Sequence, residues 1–170
     1  MSYWKPSLSK GFSTIVALIM TFMLAILLSL VQLPHQFKLV MPNWVALVLI
    51  YWIVFVPKLL GVKFAFILGV LIDLTLGNIV GTTSLCLVPI AFFAELFCYK
   101  FKTFSILHQF LMISVLIGIS QLIRLWIQLY MHHPPSTATY WLSIPLSVLF
   151  WPLVWAGLHL FNKVIINFVN

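Results

Sequence analysis

Apolar residues along this chain gather into six long runs: residues 12–33, 42–56, 62–80, 82–99, 106–131 and 140–161. Each is near the length of about 20 residues that a helix needs to cross a hydrocarbon core. The second run is short and closed by Pro57, the fourth carries Pro89, and the sixth contains Pro145 and Pro152. The pattern predicts an all-α polytopic membrane protein, a bundle of six transmembrane helices in one integral membrane domain covering residues 1–170. The longest connections, 34–41 and 132–139, are too short to fold separately.

The polar residues between the runs set an orientation. Lys5 and Lys10 precede the first run, Lys58 and Lys63 lie between the second and third, Lys100 and Lys102 lie between the fourth and fifth, and Lys163 follows the sixth. All seven fall on one side of an alternating six-span arrangement. Only Lys38 falls on the other side, and Arg124 lies inside the fifth run. The positive-inside rule then places both termini in the cytoplasm. Trp44, Tyr99, Trp126, Tyr130, Tyr140 and Trp141 stand near the predicted span ends, where amphipathic rings prefer the interface. Residues 162–170 are expected to continue the last helix along the inner surface.

Composition agrees with a lipid environment. Hydrophobic residues make up 64% of the chain and charged residues 6%, against roughly 25% charged in soluble domains. The net charge of +7 sets nine Lys and Arg against Asp73 and Glu95. Because the basic residues come singly or in pairs between apolar runs, they read as loop charges and not as a nucleic-acid surface. Cys86 and Cys98 share one run, about 18 Å apart on a helix, beyond disulfide reach, and read as packing residues. The first run is too long for a signal peptide, and no small-residue cleavage site follows it, so it is expected to stay as the first span.

One acid needs a physical account. In "GVLIDLTLGNIVGTTSL" (residues 69–85), Gly69, Asp73, Gly77 and Gly81 are spaced by four. On a continuous helix this spacing makes one slanting ridge, suited to close approach by a neighbouring helix. An aspartate in mid-span costs about 2.5–3.5 kcal/mol on insertion scales and should face protein. It is expected to be protonated, hydrogen-bonded to backbone freed at the glycines, or paired. The third and fifth helices run the same way, with Asp73 about 12 Å below Gly81 and Arg124 about 10 Å below Met131. An Asp73–Arg124 ion pair is therefore one expectation. The other is that Arg124 snorkels to the interface beside Trp126 and Tyr130. The bland reading of the ridge is a helix seam. The functional one is a site for a cation or polar solute lined by Asp73.

Other polar residues have simpler readings. Asn43 after Pro42 suits a helix start, as a cap or as a contact to a neighbour. Glu95 is near the lysine-rich face and is expected to snorkel or pair there. His132 and His133 lack the carboxylate or thiol that would complete a metal site, and His108 and His159 read as interfacial. No nucleophile–base set, paired carboxylates or phosphate loop appears, so the sequence predicts a protein that is not an enzyme, without metal or cofactor.

Three stretches together resemble one family. They are "MPNWVALVLIYW" (residues 41–52), the Asp-Gly-Gly stretch at residues 69–85, and "LSVLFWPLVW" (residues 146–155). Their order and spacing are similar to those of the rod shape-determining MreD family, from about Val40 to the C-terminus. Glu95 and Arg124 match no motif of that family. The resemblance implies a part in bacterial cell elongation and lateral wall synthesis, with the bitopic protein MreC, MreB filaments, RodA and a penicillin-binding transpeptidase as partners, direct or indirect. It also implies a fold like the substrate-binding subunits of ECF transporters, with Asn43, Asp73 and Gly77 at a pocket or a seam. Cytoplasmic lysines would add contact with anionic lipid. The alternative function is a small-solute-binding or transport subunit.

Overall fold

A computed structural model describes residues 8–30, 42–57, 60–77, 79–101, 105–131 and 141–168. Both longest connections (34–41 and 132–139), Lys5, Lys38, Lys58, Lys102, His132, His133 and Tyr140 lie outside the described residues. Six helices fall on the six apolar runs: α1 (Leu8–Leu30), α2 (Trp44–Phe55), α3 (Val62–Leu76), α4 (Thr82–Phe101), α5 (Ile106–Tyr130) and α6 (Ser143–Phe168). Three of these provide segments long and apolar enough to cross a membrane, Thr82–Lys100, Ile106–Tyr130 and Ser143–Phe161. The described residues are all-helical, with the apolar helices of a membrane protein. Boundaries shift by a few residues from those of the hydrophobic pattern: α1 begins at Leu8, before its run, and α3 stops at Leu76, although apolar residues continue to Val80. α6 runs on to Phe168, the continuation expected of the residues after the sixth run.

The short α2 is the core. Every residue from Val45 to Val54 is buried, and α1, α4 and α6 pack around it. A helix without a polar face has no preferred side to turn outward, so it belongs in the interior. Its 12 residues reach about 18 Å, against a hydrocarbon core of about 30 Å. Tyr51 and Trp52 are the largest fully buried side chains on it. The Trp52 indole N–H donates to the Thr21 hydroxyl oxygen on α1 at 2.9 Å, and that hydroxyl donates to the Leu18 carbonyl. A donor buried this completely is cut off from solvent and needs a protein acceptor. Tyr51 stacks on Phe55 with ring centroids 4.4 Å apart. Pro57 follows the last turn, whose Val56 N–H still reaches the Trp52 carbonyl.

Side-chain contacts fix helix directions. Gly69 meets Ser84, and Gly61 meets Glu95, so α3 and α4 form an antiparallel hairpin. The Trp151 indole N–H donates to Gln109 Oε1, and Gly118 lies beside Ile144, so α5 and α6 are also antiparallel. α2 runs parallel to α6, with Trp44 against Phe150 and Phe55 against His159. Consequently Lys63, in the first turn of α3, Lys100, in the last turn of α4, and Lys163, late in α6, lie toward the same end of the bundle. The turn at Gly77–Gly81 lies at the opposite end.

Candidate functional site: the turn around Asp73

Asp73 sits one turn before the end of α3 and is completely buried. The chain leaves the helix through Gly77, whose φ of 65° is left-handed and whose N–H closes back on the Asp73 carbonyl. Gly81 has φ 101°, again outside the range comfortable for a residue with a Cβ. Its carbonyl accepts from Leu85 N–H and so begins α4. Gly81 therefore occupies the N-cap position of α4 but has no side-chain oxygen to do the capping.

Asp73 supplies it from the preceding helix. Its Oδ2 accepts from the Gly81 N–H at 2.8 Å and from the Thr83 N–H at 3.0 Å, and Oδ1 lies 3.2 Å from the Thr83 nitrogen. Thr83 is the second residue of α4, where an N-cap oxygen normally bonds. A helix leaves its first amides without internal partners, and its N-terminus carries partial positive charge. The carboxyl group thus answers a need created by the turn itself. This is the backbone-bonded option that the sequence left open. The hydrogen bonds of the Asp73 side chain go to these two amides, and Arg124 is not among its partners.

The four-residue ridge divides into two kinds of position. Gly69 is a seam residue: a Cβ there would stand 2.4 Å from Ser84 Cα and 2.5 Å from Ser84 N. The Ser84 hydroxyl crosses the same seam to donate to the Phe66 carbonyl at 3.0 Å. Gly77 and Gly81 instead lie beyond the helix, with nothing within 4 Å of a Cβ at either. Their role is conformational, because the left-handed backbone ends the helix that the spacing rule had prolonged. Thr83 and Ser84, which receive Asp73 and Gly69, were not singled out from sequence. The signal was present in Gly-Thr-Thr-Ser, small and hydroxyl residues at a helix start.

Asn43 caps α2, its Oδ1 accepting from the Ala46 N–H at a long 3.4 Å. Its backbone N–H donates to Ser147 Oγ at 3.0 Å, and the Ser147 hydroxyl donates to the Ser143 carbonyl at 2.7 Å. Asn43 is therefore both the cap and the contact to a neighbour, tying α2 to α6 well away from Asp73 in sequence. Arg124 is half-buried on α5. Glu95 is exposed on α4, its Oε2 beside Gly61, the N-cap of α3. His159 lies parallel to Trp155, at 5.4 Å between ring centroids. His108 Nδ1 is 2.9 Å from Ser105 Oγ. Cys86 and Cys98 are buried free thiols. Among the described residues, no three His, Cys, Asp or Glu side chains come together as metal ligands.

Comparison with known proteins covers the site and nearly the whole bundle. The family model described as rod shape-determining protein MreD matches residues 10–162. A curated relative, the rod shape-determining protein MreD of Haemophilus influenzae, is 27% identical over 136 residues, covering 78% of this chain and 82% of that protein. No solved structure matches the chain. With Asn43, the Asp73 turn and the tryptophans of α6 all inside the matched region, the chain belongs to the MreD family of rod shape-determining proteins.

Proposed function

We propose that the protein is a non-enzymatic, six-span component of the bacterial inner membrane that serves cell elongation by holding partner proteins against its helices. In this reading both termini and the lysine-rich end of the bundle face the cytoplasm. The partners are bitopic MreC, bound through helix faces and outer loops, and, directly or through it, MreB filaments and the RodA–transpeptidase pair. The family match over residues 10–162 carries the proposal.

The shape of the bundle supports it. Buried residues make up 44% of an 18-residue apolar stretch of α4 but only 17% of the equivalent stretch of α6. Leu149, Leu153 and Leu160 point outward from α6, and Leu107, Leu111 and Val115 from α5. Such faces meet lipid or another membrane helix, and the described residues include no aqueous domain that would offer a different surface. The Asp73 turn serves this role by fixing the α3–α4 hairpin without exposing a polar group.

Depletion in the host tests the assignment. The expected result is loss of rod shape with lateral wall growth disturbed, and co-purification of MreC in mild detergent. Cells that stay rod-shaped with normal lateral growth would refute it. A solute-binding subunit would instead reveal itself by a ligand-dependent rise in thermal stability.

A further inference from the structure

The charges inside the bundle do not balance internally. The chain has two acidic residues, Asp73 and Glu95. Asp73 is fully buried and bonded to the Gly81 and Thr83 amides. Glu95 lies against Gly61, at the opposite end of the α3–α4 hairpin from that turn. α5 starts beside the end of α4, so its last turns rise toward the Asp73 end, about 20 Å from the level of Glu95 at 1.5 Å per residue. Arg124 belongs to those last turns and has no hydrogen-bond or ion-pair partner among the described residues. A guanidinium stays charged at any relevant pH, and a half-buried one needs a counter-charge. Neither acid of this chain supplies it.

The surroundings of Arg124 indicate what does. Arg124 continues the inward face of α5, at helical spacing from the buried Ile117, Ser120 and Gln121. One turn further along that face, Gln128 has its Oε1 buried without a hydrogen-bond partner. On the other side of the same turns, Trp126 and Tyr130 are 75% and 81% exposed. Exposed rings with polar tips mark the level of lipid headgroups. Length gives the same level. The 25 residues of α5 span about 38 Å against a core of about 30 Å, which leaves the Arg124 backbone about 5 Å inside the hydrocarbon edge. An arginine side chain reaches the phosphate plane from there.

We propose that Arg124 and Gln128 form a phospholipid headgroup site at the lysine-poor end of the bundle. The guanidinium holds the phosphate through two parallel N–H donors. Gln128 Oε1 accepts from a hydroxyl or ammonium of the same headgroup. The site needs only a membrane-inserted bundle and is independent of the partner assignments above.

The test uses full-length protein, purified in mild detergent and stripped of lipid. Phosphatidylglycerol, diacylglycerol and inorganic phosphate are added separately, and lipid retention by native mass spectrometry and the thermal midpoint are read. Wild type should retain phosphatidylglycerol and gain stability from it, but gain none from diacylglycerol or inorganic phosphate. Arg124→Gln should retain about tenfold less, the scale of a charge-assisted pair, with Arg124→Lys in between. Gln128→Leu keeps the charge and tests the site even if Arg124→Gln fails to fold; it should weaken retention by a few-fold. Equal retention by wild type and Gln128→Leu would overturn the two-residue site, and equal retention by wild type and Arg124→Gln would overturn the proposal altogether. So would a stability gain from inorganic phosphate alone, which would make the ligand a free anion. Failure of wild type to retain lipid until an acidic partner chain is added would move the counter-charge to a protein.

Discussion

Asp73→Ala is the most informative single change. It removes both oxygens that receive the Gly81 and Thr83 amides. Each buried amide left without an acceptor costs about 1–3 kcal/mol, so the folded state should lose about 2–6 kcal/mol. Asp73→Asn keeps one acceptor oxygen and places an N–H₂ against a donor, and should fall between the two. A competing effect has the opposite sign: removing the acid makes α3 about 2.5–3.5 kcal/mol easier to insert on translocon scales. Insertion and folding must therefore be read separately. Membrane-inserted amounts should hold or rise, while the thermal midpoint of the purified protein drops. Hydrogen exchange at the Gly81 and Thr83 amides should accelerate ahead of the rest of α4. Because Arg124 is not among the side-chain partners of Asp73, the effects of Asp73→Ala and Arg124→Gln should add. An unchanged midpoint together with unchanged exchange at those two amides would refute the capping account. A strong coupling between the two substitutions would restore the ion pair.

Further substitutions separate the roles of neighbouring residues. Gly69→Ala drives a Cβ into the Ser84 backbone and should cost at least the 1–3 kcal/mol or so typical of overpacking, seen as a lowered thermal midpoint. Gly77→Ala meets no atom within 4 Å but holds φ at 65°; it should cost about 1–2 kcal/mol, and Gly77→Asn less, in the same assay. Ser147→Ala leaves the Asn43 N–H without its acceptor and should destabilise by about 1–3 kcal/mol, more than Asn43→Ala if the long 3.4 Å cap is weak. Trp52→Phe removes the donor to Thr21 and should cost about 1 kcal/mol, measurable by unfolding in detergent.

The helices were legible because an apolar run that cannot leave its backbone groups unpaired folds as a helix, and six apolar runs stand plainly in the chain. The depth of α2 was less legible. Its run was noticeably short, but only the packing shows that a short helix can be the most buried, since α1, α4 and α6 enclose it. The residues Gly69, Asp73, Gly77 and Gly81 were also visible, yet their division of labour was not. A regular spacing of four assumes an unbroken helix, and the same glycines that suggest a ridge also end one. Gly69, with a neighbour on its Cβ side, and Gly77, with none, are identical in sequence terms. Asn43 shows the same limit from another side: its cap lies three residues ahead and was foreseeable, but Ser147 lies 104 residues away.

The two acids of the chain sit on one hairpin and invite the same explanation, but their surroundings lead to opposite outcomes. Asp73, from α3, reaches the start of α4; Glu95, from α4, lies beside Gly61 at the start of α3. Asp73 is fully enclosed and its oxygens meet amides whose positions are set by two left-handed glycines. Glu95 is exposed, and the contact is between the tip of a flexible side chain and the α-carbon region of Gly61, whose Cβ would lie 3.1 Å from Oε2. A rigid, buried acceptor must be replaced by nothing or by water that cannot enter; an exposed one is replaced by solvent. Glu95→Gln should therefore leave the thermal midpoint nearly unchanged, as screening at exposed sites implies. Gly61→Ala should be tolerated too, because the carboxylate can swing away where the Ser84 backbone facing Gly69 cannot. If Glu95→Gln destabilised the protein as much as Asp73→Ala, burial would not be what distinguishes them, and the hairpin would have to be understood as capped at both ends.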